Sequence, residues 1–167
     1  LHVLSRRQRQ MCIRDSWIDD GPAEQQVAKG ASIILNINAS PFDINKIDQR
    51  KELVKGKAKK LNVPIVYLNM VGGQDELVFD GGSFVVDKNG EFIYVAPQFK
   101  EDFFTFDIEL EVTDTVSESN LLLNEKNIKI EPLLSSNNLN KTESMYSALE
   151  LGLSDYVTKN KFEKVLV

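Results

Sequence analysis

Cysteine and histidine are almost absent from this sequence: Cys12 and His2 are the only ones, and both lie within the first sixteen residues. A single cysteine excludes an internal disulfide and fits a reducing compartment, so we expect a cytoplasmic protein. No run of about 18 apolar residues is present, and no membrane span is therefore predicted. Arginine is also scarce, since Arg50 is the only one beyond residue 14.

What the sequence does contain is typical of one globular domain. The 167 residues are 42% hydrophobic and 27% charged, which is enough apolar material for a sizeable core. The net charge of −5 does not favour a phosphate-backbone partner, so no nucleic-acid binding is predicted.

Residues 1–16 differ from the rest of the chain because they hold four of its arginines. Three interpretations compete: a basic nucleic-acid arm, an amphipathic targeting helix, and a translated sequencing adapter. The arm would lack interleaved aromatic residues, and the helix would lack apolar ones. The codons ATG TGT ATA AGA GAC encode the segment from Met11 to Asp15, so the adapter, a non-native leader, is favoured.

This origin bears on Cys12, the only candidate thiol nucleophile. No neighbouring histidine, lysine or carboxylate is apparent that would activate a thiolate. We therefore interpret Cys12 as an incidental exposed thiol and predict no catalytic residue. No cluster of metal-ligating residues is apparent either, and no metal site is predicted.

The middle of the chain alternates between helical and strand patterns, which predicts an α/β fold. Pro22 and Gly30 bracket a first helix, and residues 32–38 form a buried strand that Pro41 ends. Residues 44–61 form an amphipathic helix with lysines on its solvated face. Residues 64–71 form a second buried strand.

The later part of the sequence contains a hairpin, a connector and a helix. Strands at 82–87 and 91–96 flank an Asn-Gly turn, and residues 103–112 alternate like a half-buried strand. Residues 113–142 are rich in serine, asparagine and threonine and predict a connector. A helix begins at Glu143, and residues 164–167 begin an apolar strand. A strand that stops at its beginning suggests a truncated product.

The segment NMVGGQDELVFDGGSF, residues 69–84, carries two glycine pairs directly after the second buried strand. Glycine pairs allow positive φ and close approach of the backbone to a ligand. We expect a shaped loop at the carboxyl end of a buried strand, which is where α/β folds bind ligands.

Three segments resemble the glutamine-dependent NAD synthetase family. They are LNINASPF followed by Lys46 and Arg50, then PIVYLNMVGGQDELVFDGGSFVVDKNGE, and finally YSALELGLSDYVTKNKFEKVLV. The resemblance implies a partial, truncated nitrilase-like α-β-β-α sandwich. It also implies an amidase part at 17–112, a connector at 113–142 and the start of an ATP-dependent synthetase domain at 143–167.

The resemblance implies a reaction as well. The family hydrolyses glutamine with a Glu–Lys–Cys triad and uses the ammonia, with ATP and Mg²⁺, to amidate nicotinic acid adenine dinucleotide. Ile13, Arg14 and Asp15 stand where the family has Cys-Glu-Asp, and its SGGxDS loop would follow Val167. We therefore expect a fragment that is inactive as written and holds no cofactor of its own, from a parent that is a homo-oligomer.

Two positions match glutamine contacts of the family, Ser40 and Lys46. Without the resemblance, Ser40 is equally well a turn residue before Pro41, and Lys46 is a surface charge at the start of a helix. Structural roles are expected for four acidic residues: Glu24, Asp75, Glu76 and Asp80.

Two further interpretations of the whole chain stay open. One is a stand-alone carbon–nitrogen hydrolase that acts on a small amide. The other is a non-enzymatic interaction module with a basic arm, which requires residues 1–16 to be genuine.

Overall fold

The computed structural model of the chain describes residues 21–108 and 139–165. The three helices in this part are α1 (Pro22–Val27), α2 (Lys46–Leu61) and α3 (Lys141–Lys159). The six strands are β1 (Ile34–Asn38), β2 (Ile65–Asn69), β3 (Val71–Gln74), β4 (Leu77–Asp80), β5 (Phe84–Val86) and β6 (Phe92–Val95). The predicted α/β class is confirmed.

The main sheet has four strands in the order β1-β2-β5-β6. Strands β1 and β2 run parallel and are joined by α2, in register from Ile34 opposite Ile65 to Asn38 opposite Asn69. Strands β5 and β6 continue the sheet antiparallel. The sheet therefore mixes a β-α-β unit with a hairpin, and the crossover places α2 on one face.

The main core fills the space between this face of the sheet and α2. Its buried members come from α2, from the loop that follows it and from the strands: Ile34, Val54, Ala58, Val63, Ile65, Tyr67, Phe84, Val86 and Val95. Tyr67 stacks on Phe84 with ring centroids 4.8 Å apart. The apolar stripe predicted for the helix is thus the face that packs, although Ile44 lies before the helix begins.

Among residues 21–108 and 139–165, the opposite face of the sheet is covered only in part. Val85, Tyr94 and Ala96 are buried there beneath Phe104, Phe106 and Ile108. Residues 101–108 form no strand, so the predicted strand at 103–112 is wrong over its described part. The predicted alternation is nevertheless present, because even-numbered residues face inward while Phe103 is 89% exposed. Burial without a backbone ladder produces the same sequence pattern as a strand.

The glycine segment at 69–84 is more regular than the predicted loop. It contains the β3–β4 hairpin, in which Val71 lies opposite Asp80 and Gln74 opposite Leu77. The turn holds Asp75 at a φ of 52°, and the Gly81-Gly82 pair follows at φ values of 63° and 62°. The first glycine pair is part of a strand, and only the second is part of a loop.

The predicted β5–β6 hairpin is confirmed, but its turn is longer than a two-residue Asn-Gly turn. The Gly90 N–H donates to the Asp87 carbonyl at 3.0 Å, and Gly90 carries the positive φ of 80°. The Asp87 carboxylate accepts from the N–H groups of Asn89 and Glu91. This is the pattern of a turn that ends on a left-handed glycine.

The carboxyl-terminal helix begins two residues earlier than predicted, inside the predicted connector. Asn140 caps α3, because its side chain accepts from the Glu143 N–H at 2.9 Å while Glu143 accepts from the Asn140 N–H at 3.0 Å. The helix packs on the β3–β4 hairpin. Residues 164–165 form no strand, contrary to the prediction, and 166–167 lie outside the described residues.

The predicted leader and most of the predicted connector also lie outside the described residues. Within the described ranges, no helix has the length and apolar character needed to cross a membrane.

Candidate functional site

The carboxyl ends of the two parallel strands meet at one edge of the sheet. Asn38 and Asn69 are register partners at the ends of β1 and β2. The segment that carries Ser40 therefore lies beside the start of the β3–β4 hairpin. Open α/β sheets bind ligands at such an edge, because the loops that leave neighbouring strands form a crevice there.

Asn69 connects the two loops at this edge. Its side-chain oxygen accepts from the Ser40 N–H at 2.8 Å, and its amide nitrogen donates to the carbonyls of Ser40 at 3.2 Å and Gly81 at 3.1 Å. Its backbone N–H donates to the Ser83 hydroxyl at 3.0 Å. A single buried amide thus fixes the backbone on both sides of the edge.

Beneath this edge, Arg50 and Asp80 form a buried ion pair. The guanidinium Nη1 donates to the Asp80 carboxylate at 2.8 Å, and the side chains are 1% and 0% exposed. Nη2 donates to the carbonyls of Ser40 at 3.1 Å and Pro41 at 2.9 Å. Gln98 donates to the second oxygen of Asp80 at 3.1 Å. The pair joins α2, β4 and the Ser40 loop.

Ser40 is placed by this network rather than exposed on a surface. It is 2% exposed, and both its N–H and its carbonyl are already hydrogen-bonded. Its side chain lies beside Tyr67. Burial raises the pKa of the Tyr67 hydroxyl, while the Arg50 guanidinium and a hydrogen bond with Ser40 act in the opposite direction. The Ser40 hydroxyl is hydrogen-bonded to Tyr67 and is the one polar group of this residue outside the backbone hydrogen bonds.

Lys46 is the first residue of α2, at the other end of the loop that begins with Ser40. Its N–H donates to the Asp43 carbonyl at 3.0 Å, and its side chain is half-buried. No hydrogen bond or ion pair of its ammonium group is formed with any of the described residues. A cation at a helix start is slightly unfavourable, so an anionic ligand would suit it.

The acidic residues predicted as structural take different positions. Glu24 pairs with Lys57 at 3.2 Å, with both side chains largely buried, so Lys57 is not on a solvated face as predicted. Asp75 and Glu76 are exposed at the hairpin turn. Asp80 is the fully buried partner of Arg50.

Sequence reasoning missed Asn69 and Arg50 as site-forming residues. The signal for Arg50 was present, since it is the only arginine in a lysine-rich helix and falls on the apolar stripe between Ile47 and Val54. Asn69 gave a weaker signal, as an amide at the end of an otherwise apolar strand.

The described residues can bind and orient a ligand, but they offer no thiolate or imidazole, because Cys12 and His2 lie outside them. They also contain no group of three or more His, Cys, Asp or Glu side chains that could hold a metal ion.

The family to which this fold and edge belong is shown by comparison with known proteins. The profile of the carbon-nitrogen hydrolase family matches residues 14–118, which is more than half of the chain. The chain therefore belongs to the carbon-nitrogen hydrolase family, and the predicted nitrilase-like fold is confirmed.

Particular relatives are glutamine-dependent NAD(+) synthetases, as the resemblance predicted. That of Thermotoga maritima is 38% identical over 174 residues, covering 92% of this chain and 30% of that protein. That of Aquifex aeolicus is 36% identical over 169 residues, with the same coverage of 92% and 30%. The solved structure of the Acinetobacter baumannii enzyme matches with 32% identity and a TM-score of 0.71, over 91% of this chain and 26% of that one. The chain thus spans less than a third of each of these relatives.

Proposed function

We propose that this chain forms part of the glutamine amidase portion of a glutamine-dependent NAD synthetase, and that its β1–β2 edge binds glutamine. The observation that carries the proposal is the buried Asn69–Arg50–Asp80 network, which holds Ser40 at the carboxyl end of β1. The similarity to synthetases over about nine-tenths of the chain supports it.

The two glutamine contacts have different roles in this proposal. The Lys46 ammonium group pairs with the α-carboxylate of glutamine, because it is a cation without a partner among the described residues. The Ser40 hydroxyl forms a hydrogen bond to the ligand. Its position is fixed because the Ser40 N–H and carbonyl are both hydrogen-bonded within the protein. A fixed hydroxyl and a flexible cation together select an amino acid over a simple amide.

The rest of the proposal concerns the whole protein. In it, ammonia passes to an ATP- and Mg²⁺-dependent synthetase domain in a cytoplasmic homo-oligomer. The described residues contain no group of three or more His, Cys, Asp or Glu side chains that could hold a metal ion, and the roles proposed for Ser40 and Lys46 concern glutamine alone.

A stand-alone carbon–nitrogen hydrolase is the second candidate. The family match ends at residue 118, whereas the similarity to synthetases covers 92% of the chain. Helix α3, in the segment predicted to open the synthetase domain, packs on the β3–β4 hairpin. A free hydrolase has no need of this segment, so the first candidate is favoured.

A chimaera tests the proposal. Residues 21–165 replace the aligned segment of the Thermotoga maritima protein, and NAD formation is measured with glutamine and with ammonia as nitrogen donors. We expect both activities, with Ser40→Ala and Lys46→Ala each raising the KM for glutamine by about tenfold, the effect of losing one hydrogen bond to a charged group. Ammonia-dependent activity stays unchanged.

The matched control is Lys100→Ala, which removes an exposed lysine outside the edge. Equal effects of Lys46→Ala and Lys100→Ala on the KM would contradict the glutamine assignment. A chimaera that hydrolyses glutamine but never couples it to NAD formation would favour the stand-alone hydrolase. The 167-residue chain by itself is expected to release no ammonia from glutamine, and turnover that Cys12→Ala abolishes would refute this expectation.

A further inference from the structure

Helix α3 crosses the β3–β4 hairpin at a point where glycines bring the two backbones together. A Cβ atom built on Gly73 would lie 3.1 Å from the Gly152 Cα and 3.2 Å from the Asp155 Cβ. A Cβ atom on Gly152 would lie 3.1 Å from a methyl group of Val78. Such close packing favours glycine on both elements.

Two side chains of α3 hold the peptide groups of Gly73. The Gly73 N–H donates to the Asp155 carboxylate at 2.7 Å, and the Lys159 ammonium donates to the Gly73 carbonyl. Lys159 also pairs with Asp155 at 3.1 Å, one turn apart on the helix. The Gly73 N–H holds the pKa of the Asp155 carboxyl below its usual range, with Lys159 adding to the effect and burial opposing it. We call this arrangement the Gly73 clamp.

The other strand of the hairpin holds the segment that follows Ser40. The Phe42 N–H donates to the Val78 carbonyl at 2.7 Å, and Pro41 forms a bridge with Phe79. Asp80 ends β4 and pairs with Arg50, whose guanidinium donates to the Ser40 carbonyl. Gly73 lies opposite Val78 in the hairpin. A short series of hydrogen bonds therefore connects α3 to the segment that carries Ser40.

We propose that Asp155 and Lys159 are positioning residues for the glutamine edge: the Gly73 clamp sets the hairpin, and the hairpin sets Ser40. For its ligand, this inference rests on the proposed function. Helix α3 has this role because the Gly73 clamp holds one strand of the short hairpin, while the Phe42 hydrogen bond is made to the opposite strand. A two-stranded hairpin is marginally stable by itself, so the position of this hairpin depends on the contacts made to both of its strands.

Amide hydrogen exchange of the full 167-residue chain tests the positioning. We expect Asp155→Ala and Lys159→Met to speed exchange of the Gly73 and Phe42 amides by about tenfold, with the β5 amides unchanged. Asp155→Asn, which keeps an acceptor for the Gly73 N–H, restores most of the protection. Glu150→Ala, an exposed acid on the same helix, changes neither amide.

Faster exchange at Gly73 alone would show a purely local clamp and overturn the inference, as would no change at either amide. If Asp155→Ala loses protection throughout the sheet, Lys159→Met is the deciding variant, because it keeps the aliphatic part of the lysine side chain. Exchange of the same two amides, Gly73 and Phe42, is then measured in that variant.

A calorimetric titration with glutamine separates the inference from the proposed function. We expect the Kd of the clamp variants to rise by about tenfold while that of Glu150→Ala stays within about twofold. Failure of the unsubstituted chain to bind glutamine would contradict the proposed function and leave the exchange result standing. Unchanged glutamine binding in the clamp variants would contradict the inference alone.

Discussion

Arg50 joins three segments of the chain from a position that is 1% exposed. Its guanidinium pairs with Asp80 and donates to the carbonyls of Ser40 and Pro41. Removing only one partner of a buried pair leaves an uncompensated charge in the interior. We therefore expect Asp80→Ala to lower the free energy of unfolding by about 3–5 kcal/mol, measured by urea denaturation.

The control for this prediction is Glu76→Ala, which removes an exposed carboxylate from the neighbouring hairpin turn. A surface acid contributes little, so this variant should stay within about 0.5 kcal/mol of the parent chain. If the two variants unfold at the same urea concentration, the Arg50–Asp80 pair does not stabilise the fold.

Asp155, in the carboxyl-terminal helix α3, makes the free energy of unfolding depend on pH. Its folded pKa lies below the ordinary value of 3.8, chiefly because of the Gly73 N–H. A depressed pKa contributes stability that is fully present above the unfolded pKa and is lost as pH falls through the folded pKa. The difference in free energy of unfolding between the parent chain and Asp155→Asn should be constant above about pH 5 and shrink below about pH 4. A flat difference down to about pH 3 would contradict it.

At this scale the sequence predicted the position of Ser40 and Lys46 but not what holds them. Arg50 matches the spacing of the apolar stripe, but a charged residue on such a stripe is normally assigned to the surface. Its burial depends on Asp80, which is thirty positions away along the chain. A local sequence pattern cannot predict a pairing between residues that lie so far apart in the chain.

At the scale of elements, two glycines illustrate how context decides the effect of an added methyl group. A Cβ atom on Gly56, inside α2, would meet nothing within 4 Å. Gly56→Ala should therefore stabilise the chain by about 0.5–1 kcal/mol, because alanine loses less backbone entropy in a helix.

Gly73→Ala should instead destabilise the chain by about 1–3 kcal/mol, because the methyl group would push the Gly152 backbone of α3 away from the hairpin. Thermal denaturation of both variants beside the parent chain measures the two effects. A stabilised Gly73→Ala variant would show that α3 does not pack on the hairpin as described.

Some elements of the fold could be predicted from the periodicity of the sequence, and others could not. The β1-α2-β2 unit and the β5–β6 hairpin followed from their patterns, since each buries a regular face. The β3–β4 hairpin was missed because Gly72 and Gly73 suppress the strand signal, although they are the point at which α3 packs. Residues 101–108 showed the reverse error, because alternate burial occurred without a strand partner.

For the molecule as a whole, we expect self-association to depend on the face of the main sheet that the described residues leave exposed. Within the described residues, β1 is an edge strand, and three apolar side chains on this face are 63%, 58% and 47% exposed, namely Leu35, Ile37 and Leu68. An open strand edge beside an apolar face is a template for association. We therefore expect the 167-residue chain to self-associate in sedimentation velocity experiments at micromolar concentration.

Charges on that face should reverse the association, because each lysine desolvates at a cost when two faces meet. The double variant Leu35→Lys with Ile37→Lys is expected to sediment mainly as a monomer. Leu77→Lys, which changes an equally apolar residue on the β3–β4 hairpin that is 45% exposed, should associate like the parent chain. Association that both variants relieve equally would be an effect of net charge rather than of the sheet face. A monodisperse parent chain with a cooperative thermal transition would show that the face needs no partner.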